Sequence, residues 1–161
     1  MQTTILDHQF KHIDIVALSE IQFEQWQPLW QGYQQFYQVQ LSDEVTQNTW
    51  SKLINPHRTH IYGFAAVYQT QVVAIVHVIE HDSCWTLKPY AYLQDLYTLP
   101  EYRGMGIAQQ LIQQVNQTAQ QRECDRVYWL THEDNLQARQ LYDRVAKRTG
   151  FIQYRSPVTA M

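Results

Sequence analysis

Between residues 92 and 111 the chain reads YLQDLYTLPEYRGMGIAQQL. A β-rich run from Tyr92 to Leu99 breaks at Pro100, and an apolar helical pattern begins near Ile107. Arg103-Gly104-Met105-Gly106-Ile107-Ala108 lies between them. A glycine loop that opens directly into a helix presents free backbone N–H groups at the positive end of the helix dipole. Phosphate is the ligand that this arrangement suits best. Gly104 and Gly106 allow the backbone to approach a bulky anion, and Ala108 keeps the start of the helix slim. A nucleotide P-loop would end in Gly-Lys-Ser/Thr, and a dinucleotide fingerprint needs a third glycine position. Neither is present; the pattern is Arg103-x-x-Gly106-x-Ala108. The alternative is a tight strand-to-helix turn with no ligand.

The elements that must position this loop are legible on either side. Ile13, Ile15 and Ala17 alternate with Asp14 and Val16 as a first strand, while residues 1–11 carry little pattern and read as a loose extension or edge strand. Ser19 and Glu20 mark a helix start. Phe23, Trp26, Leu29, Trp30, Tyr33 and Tyr37 recur at helical steps, with Pro28 and Gly32 predicting a kink or break. A cap at Leu41-Ser42-Asp43-Glu44 opens a second helix that stops before Pro56. His60–Tyr68 and Val72–Glu80 form a hairpin through Gln69-Thr70-Gln71, apolar enough to be buried on both faces. After the loop, Ile107, Leu111, Ile112, Val115 and Ala119 mark one helix face. Arg126–Thr131 is a strand, Glu133-Asp134-Asn135 caps a last helix ended by Gly150, and Phe151–Arg155 is a closing strand. The order βααβββαβαβ predicts one three-layer α/β domain over residues 1–161.

Composition narrows the function. A chain of 161 residues can bury a real core, and 45% of it is apolar. Its net charge of -3 argues against a dedicated nucleic-acid binder, which would carry a basic face. No apolar run is long enough to cross a bilayer and the N-terminus lacks a signal-peptide core, so a cytoplasmic protein without membrane attachment is expected. Cys84 and Cys124 have neither metal-ligand nor redox spacing and are read as inert. His57 and His60 flank a loop, and His77 and His81 share a strand face, but no third ligand converges on either pair, so no metal site is expected.

With its loop, strand and later helix together, the chain resembles the GNAT superfamily of acyl-CoA-dependent N-acyltransferases. The family's phosphate-loop pattern, Gln/Arg-x-x-Gly-x-Gly/Ala, is matched by Arg103, Gly106 and Ala108, preceded by the strand in LYTLPEYRG. A second family motif, Asn followed seven residues later by Tyr, is matched by Asn135 and Tyr142 in NLQARQLY, and Gly150-Phe151 is a frequent closing pair. The motifs cover about residues 60–155; the first 55 residues fit by element order. The tail LYDRVAKRTGFIQY is similar to the Hpa-type histone and polyamine acetyltransferase branch.

The resemblance implies a single-domain GNAT-like fold, with a mixed, mostly antiparallel sheet of six to seven strands flanked by about four helices. It implies acetyl-CoA as co-substrate, its pyrophosphate on the backbone N–H groups of Gly104, Met105, Gly106, Ile107, Ala108 and Gln109, with Arg103 opening the motif. Leu96, Tyr97 and Thr98 would pair through their main chain with the pantetheine arm. A backbone N–H of that strand would polarise the thioester carbonyl. Asn135 would contact the cofactor arm, and Tyr142 would protonate the departing thiolate. Taken without the Asn135 spacing, Tyr142 reads instead as a core aromatic with a hydrogen-bonded hydroxyl.

An amine attacks a thioester directly, so no protein nucleophile is required, but a primary ammonium is unprotonated only about once in 2,500 at pH 7. A base is therefore useful. Polyamine acetyltransferases of the superfamily carry Leu-Glu-Asp before the same strand end, and this chain reads Leu93-Gln94-Asp95. Asp95, which would hold the ammonium, is kept, while Gln94 cannot act as a base and points to the other face. The structural alternative for Asp95 is a carboxylate paired to a neighbour. Glu80, Glu101, His132 and Glu133 are weaker base candidates, each read as a solvated or structural group, and Trp85, Tyr90 and Tyr92 could line an amine site or simply pack.

The expected activity is transfer of an acetyl group to a small primary amine, such as a diamine or polyamine, in a ternary complex. Family habit implies a homodimer. The rival readings are acetylation of a peptide or protein amine, which would need a wide acidic groove, and a non-catalytic CoA-binding sensor.

Overall fold

A run of seven buried residues, 72–78, requires a layer of structure on each face of the strand that carries it. The computed structural model describes residues 12–158 and supplies both layers. The expectation for residues 1–11 lies outside the described residues. By contacts the chain divides into two units, residues 1–130 and 131–161.

In the first unit, β1 (Ile13–Ala17), β2 (Ile61–Tyr68), β3 (Gln71–His81) and β4 (Tyr90–Thr98) run antiparallel in that order, and β5 (Arg126–Tyr128) joins β4 in parallel. The helices are α1 (Phe23–Phe36), α2 (Asp43–Leu53) and α3 (Ile107–Gln121). Trp26, Leu29, Trp30, Trp50 and Leu53 of α1 and α2 form one core with Leu18, Ala65, Val72 and Ile75. Ile107, Leu111, Ile112, Val115 and Ala119 of α3 are buried outside that cluster, against the other face. The second unit contains α4 (Leu136–Val145).

The local signals explain most element ends. Ser42 Oγ accepts from Val45 N (3.3 Å) at the start of α2. Gln25 Oε1 accepts from Gln22 N (2.9 Å) at the start of α1. The expected helix start at Ser19–Glu20 is instead a short 3-10 turn, Leu18–Glu20, with Glu20 Oε1 accepting from Ala17 N (2.8 Å). Arg122, just past α3, grips both carboxylate oxygens of Glu80 at 2.6 and 2.9 Å and also donates to Thr59 O, which ties that helix end to β3. Burial and the neighbouring Glu80 carboxylate push the Cys124 thiol up from its ordinary range, which keeps it protonated.

Several expectations need correction. Among the described residues the sheet has five strands, not six to seven. Phe151–Arg155 forms no strand, since a five-residue pattern becomes one only where a ladder partner meets it, and the strand expected over Arg126–Thr131 is limited to Arg126–Tyr128. α1 runs unbroken through Pro28 and Gly32. A proline inside a helix costs about 3 kcal/mol, and burying each of Trp26, Leu29 and Trp30 returns about 1.5–3 kcal/mol, so packing outweighs the lost bond. Gly32 marks a close approach rather than a break, because a Cβ there would lie 2.5 Å from the Tyr97 hydroxyl.

Gly63 on β2 is tighter still. A Cβ would sit 2.3 Å from the Val76 carbonyl oxygen and 2.6 Å from Leu18 Cδ1, and the carbonyl cannot retreat without loosening the sheet. Gly63→Ala should therefore cost about 1–3 kcal/mol. At about 2–4 °C per kcal/mol a thermal melt should fall by several degrees; an unchanged midpoint would show that β2 and β3 can separate at no cost.

Candidate active site

β4 is paired on one edge along its length and on the other only at its beginning. β5 meets it at Tyr90, Ala91 and Tyr92, and no further. From Leu93 to Thr98 the backbone groups on that edge have no ladder partner from β5, which is what an added extended ligand requires. The register with β3 also changes there: His77 opposes Asp95 while Val78 opposes Leu93, so Gln94 is an extra, bulged residue. The bulge leaves Gln94 exposed and Asp95 only 8% exposed.

The strand leads through a 3-10 turn, Pro100–Tyr102, into the glycine loop. Gly104 and Gly106 have φ of 78° and 77°, values that glycine adopts freely and other residues do not. Gly106 is the N-cap of α3 and offers no side chain to its first-turn N–H groups, and no acidic residue stands in that turn. Arg103 Nε donates to Thr98 O (3.1 Å), and its guanidinium lies 5.7 Å from the Tyr97 ring centroid and 6.0 Å from that of Phe36. Thr98 Oγ1 is buried without a hydrogen-bond partner among the described residues. An open strand edge, an orphaned hydroxyl at its end and an uncapped helix N-terminus fit a ligand with an amide-bearing arm and a pyrophosphate. Leu96, Tyr97, Thr98 and residues 103–109 would hold it.

Asp95 lies at the centre of a buried polar chain. His77 Nδ1 is 2.9 Å from Asp95 Oδ2, and Trp26 Nε1 donates to His77 Nε2 at 2.9 Å. The Tyr33 hydroxyl also hydrogen-bonds the Asp95 carboxylate. Burial first, and then the charge of Asp95, push the Tyr33 hydroxyl far above its ordinary range, so it remains a donor. Burial and Asp95 likewise raise Tyr92, which stacks on Tyr128 with ring centroids 5.0 Å apart. Tyr37 is 5.0 Å from Tyr33 between centroids. A carboxylate walled by aromatic rings is thus built into the face of the sheet beneath α1.

Asn135 and Tyr142 belong to the second unit. Asn135 is the N-cap of α4: its Oδ1 accepts from Ala138 N (3.5 Å) and its Nδ2 donates to Thr131 Oγ1 (3.1 Å). Seven residues are close to two helical turns, so Asn135 and Tyr142 share one side of α4.

The other base candidates are placed differently. Glu80 is held by Arg122 and by the Tyr62 hydroxyl (3.0 Å). His132 pairs with Asp134 at 2.5 Å. Trp85 is 78% exposed and Tyr90 lies beneath Arg126, 4.2 Å from its guanidinium carbon. Of the three aromatics considered for an amine site, Tyr92 is the one coupled to Asp95. Trp26, Tyr33 and His77 were not visible as site residues in the sequence. A signal existed, since His77 is the single polar residue in the buried run 72–78 and a buried imidazole needs partners. Among the described residues no group of three His, Cys, Asp or Glu could hold a metal ion, and no helix is long and apolar enough to cross a membrane.

Residues 15–146 match the Acetyltransferase (GNAT) family, and the chain belongs to it. It is an acetyl-CoA-dependent N-acetyltransferase, which sets the sensor reading aside. It is 29% identical over 146 residues to a D-amino-acid N-acetyltransferase of Saccharomyces cerevisiae, covering 89% of each chain. It is 26% identical over 117 residues to an aminoglycoside N(6')-acetyltransferase type 1 of Acinetobacter baumannii, covering 70% of this chain and 75% of the relative. Among solved structures, an aminoglycoside acetyltransferase in complex with a CoA-based bisubstrate analogue shares the fold at TM-score 0.74 and 20% identity, over 90% of this chain and 99% of that one.

At Gly106 a side chain would disfavour the left-handed backbone by about 1–2 kcal/mol. Gly106→Ala should relax in the free enzyme and recover the loop only on binding, weakening acetyl-CoA by roughly five- to thirtyfold in calorimetry. Wild-type affinity would remove the loop's conformation from co-substrate binding.

Proposed function

We propose that the acceptor is a small cationic primary amine, such as a diamine or polyamine, held at Asp95 and acetylated by direct attack. The observation that carries this reading is the charge at Asp95. Its carboxylate is buried, its partners among the described residues are an imidazole and a phenol rather than an arginine or lysine, and its charge acts on Tyr33 and Tyr92, with Tyr37 beside Tyr33. An ammonium group supplies the missing positive charge, and aromatic faces favour it further. Asp95 immediately precedes Leu96–Thr98, which bind the pantetheine arm, so an amine held there would lie close to the thioester.

Between ammonium and amide the nitrogen sheds two protons. One leaves toward solvent by way of Asp95, and the other reaches the departing sulfur from Tyr142, which is then reprotonated. Gly104 to Gln109 hold the pyrophosphate, Arg103 braces the strand end, and Asn135 contacts the cofactor arm. Acetyl-CoA itself supplies the activated acyl group.

A second reading is favoured by the yeast relative: a D-amino acid as acceptor. Its carboxylate would be repelled by Asp95 unless Arg103 received it. An aminoglycoside or a peptide amine is the remaining class. An amine panel followed by CoA release separates them, using diamines, polyamines, D- and L-amino acids, an aminoglycoside and lysine peptides. Diamines should give the highest kcat/KM, and turnover confined to amino acids would overturn the polyamine reading.

Two variants test the roles. Asp95→Asn should raise the amine KM at least tenfold while acetyl-CoA binding holds, as loss of a buried charge partner costs about 2–5 kcal/mol. Tyr142→Phe should lower kcat by about 10² to 10⁴ with acetyl-CoA affinity nearly intact; wild-type turnover would remove Tyr142 from the mechanism.

A further inference from the structure

Two residues behind Asp95, Trp26 and His77, have no part in the reaction as so far described, yet both are fully enclosed. Trp26 is 0% and His77 3% exposed. The indole N–H can only donate, so His77 Nε2, 2.9 Å away, can only accept. Nε2 is therefore bare, and the ring's proton lies on Nδ1, which donates to Asp95 Oδ2 at 2.9 Å. The tautomer follows from the donor inventory alone. A proton on Nε2 would set N–H against the indole N–H, so the indole selects the bare Nε2.

The packing around the imidazole enforces this state. Its ring centroid is 5.9 Å from that of Trp26 and 5.3 Å from that of Trp30, and its cross-strand neighbour on β2 is Gly63, which brings no charge. Among the described residues, the titratable groups facing the pair are Asp95 and Tyr92 on β4, Tyr33 on α1 and Tyr37 just past its end. None of these is cationic. A neutral donor fixes the carboxylate in direction without cancelling its charge, whereas an arginine or lysine in place of His77 would consume the attraction that an ammonium needs.

We propose that Trp26 and His77 are positioning residues for the acceptor amine: the indole N–H holds the imidazole as its neutral Nδ1–H tautomer, and that N–H aims the Asp95 carboxylate while leaving its negative charge for the substrate. This rests on Asp95 as the amine anchor. Neither residue touches the substrate; both act through Asp95.

The test uses the full chain and a spectroscopic signature as well as kinetics. In ¹⁵N NMR of the histidine rings, wild-type His77 should show the Nδ1–H tautomer with Nε2 bare. In Trp26→Phe, with Nε2 released, the same ring should show a share of the Nε2–H tautomer, and the amine KM should rise as Asp95 loses its donor. His77→Leu, which removes the donor, should raise the amine KM about tenfold or more with acetyl-CoA affinity unchanged. His77→Asn, whose side-chain amide can replace Nδ1–H, should recover most of that loss. An Nε2–H tautomer in the wild type would overturn the proposal without needing a variant. So would a folded His77→Leu enzyme with the wild-type amine KM, provided that Asp95→Asn raises it. If Asp95→Asn leaves the amine KM unchanged, the anchor itself is wrong, and the positioning role falls with it even where the tautomer is as stated.

Discussion

The site depends on β4 being paired along one edge and released along the other. A parallel partner that covered all of β4 would satisfy its backbone groups and leave nothing for a ligand to join. β5 is short, meets β4 only from Tyr90 to Tyr92, and so leaves residues 93–98 with one edge unspent. The bulge at Gln94 coincides with the point of release and resets the alternation of side chains beyond it. That reset brings Asp95 opposite His77, under α1, in place of the exposed position that Gln94 takes. The early end of β5 frees the edge, and the bulge beside it sets the placement of the carboxylate.

The surrounding elements keep that irregularity in place. β3 is buried on both faces, and its antiparallel ladder fixes β4 from the closed side. Gly32 lets α1 come within reach of Tyr97, and Arg103 binds the carbonyl of Thr98 from the loop that follows. The strand end and the start of α3 are consequently tied together at one corner. On the proposed reading, the co-substrate would meet extended backbone, then left-handed glycines, then helix N–H groups there.

Much of this was readable because it is local. The glycine loop, the Ser42 cap, the apolar face of α3 and the hairpin before β4 are set by residues adjacent in sequence, and periodicity and turn chemistry report such features. The misplaced features depend on distant partners. Pro28 argued for a break that the burial of Trp26, Leu29 and Trp30 overrides, and Phe151–Arg155 has a strand's composition without a ladder to join. The network at Asp95 was hidden for the same reason. Trp26 and His77 are 51 residues apart, and His77 and Asp95 are 18 apart. A regular register without the Gln94 bulge would have set a different residue opposite His77.

The same network bears on why Asp95 is an aspartate within an otherwise apolar layer. A buried carboxylate is costly unless compensated, and an ion pair would be the simplest compensation. On the proposed reading, the compensation comes from neutral donors, the imidazole N–H and the Tyr33 hydroxyl, which lower the cost of burial while leaving the charge uncancelled. A purely structural role would be served as well or better by a salt bridge, as it is at Glu80 with Arg122 in the same sheet. On the proposed reading, the contrast between these two carboxylates separates holding the fold from holding a substrate: Glu80 is paired to Arg122 within the chain, and Asp95 would keep its charge for a cation that arrives from outside.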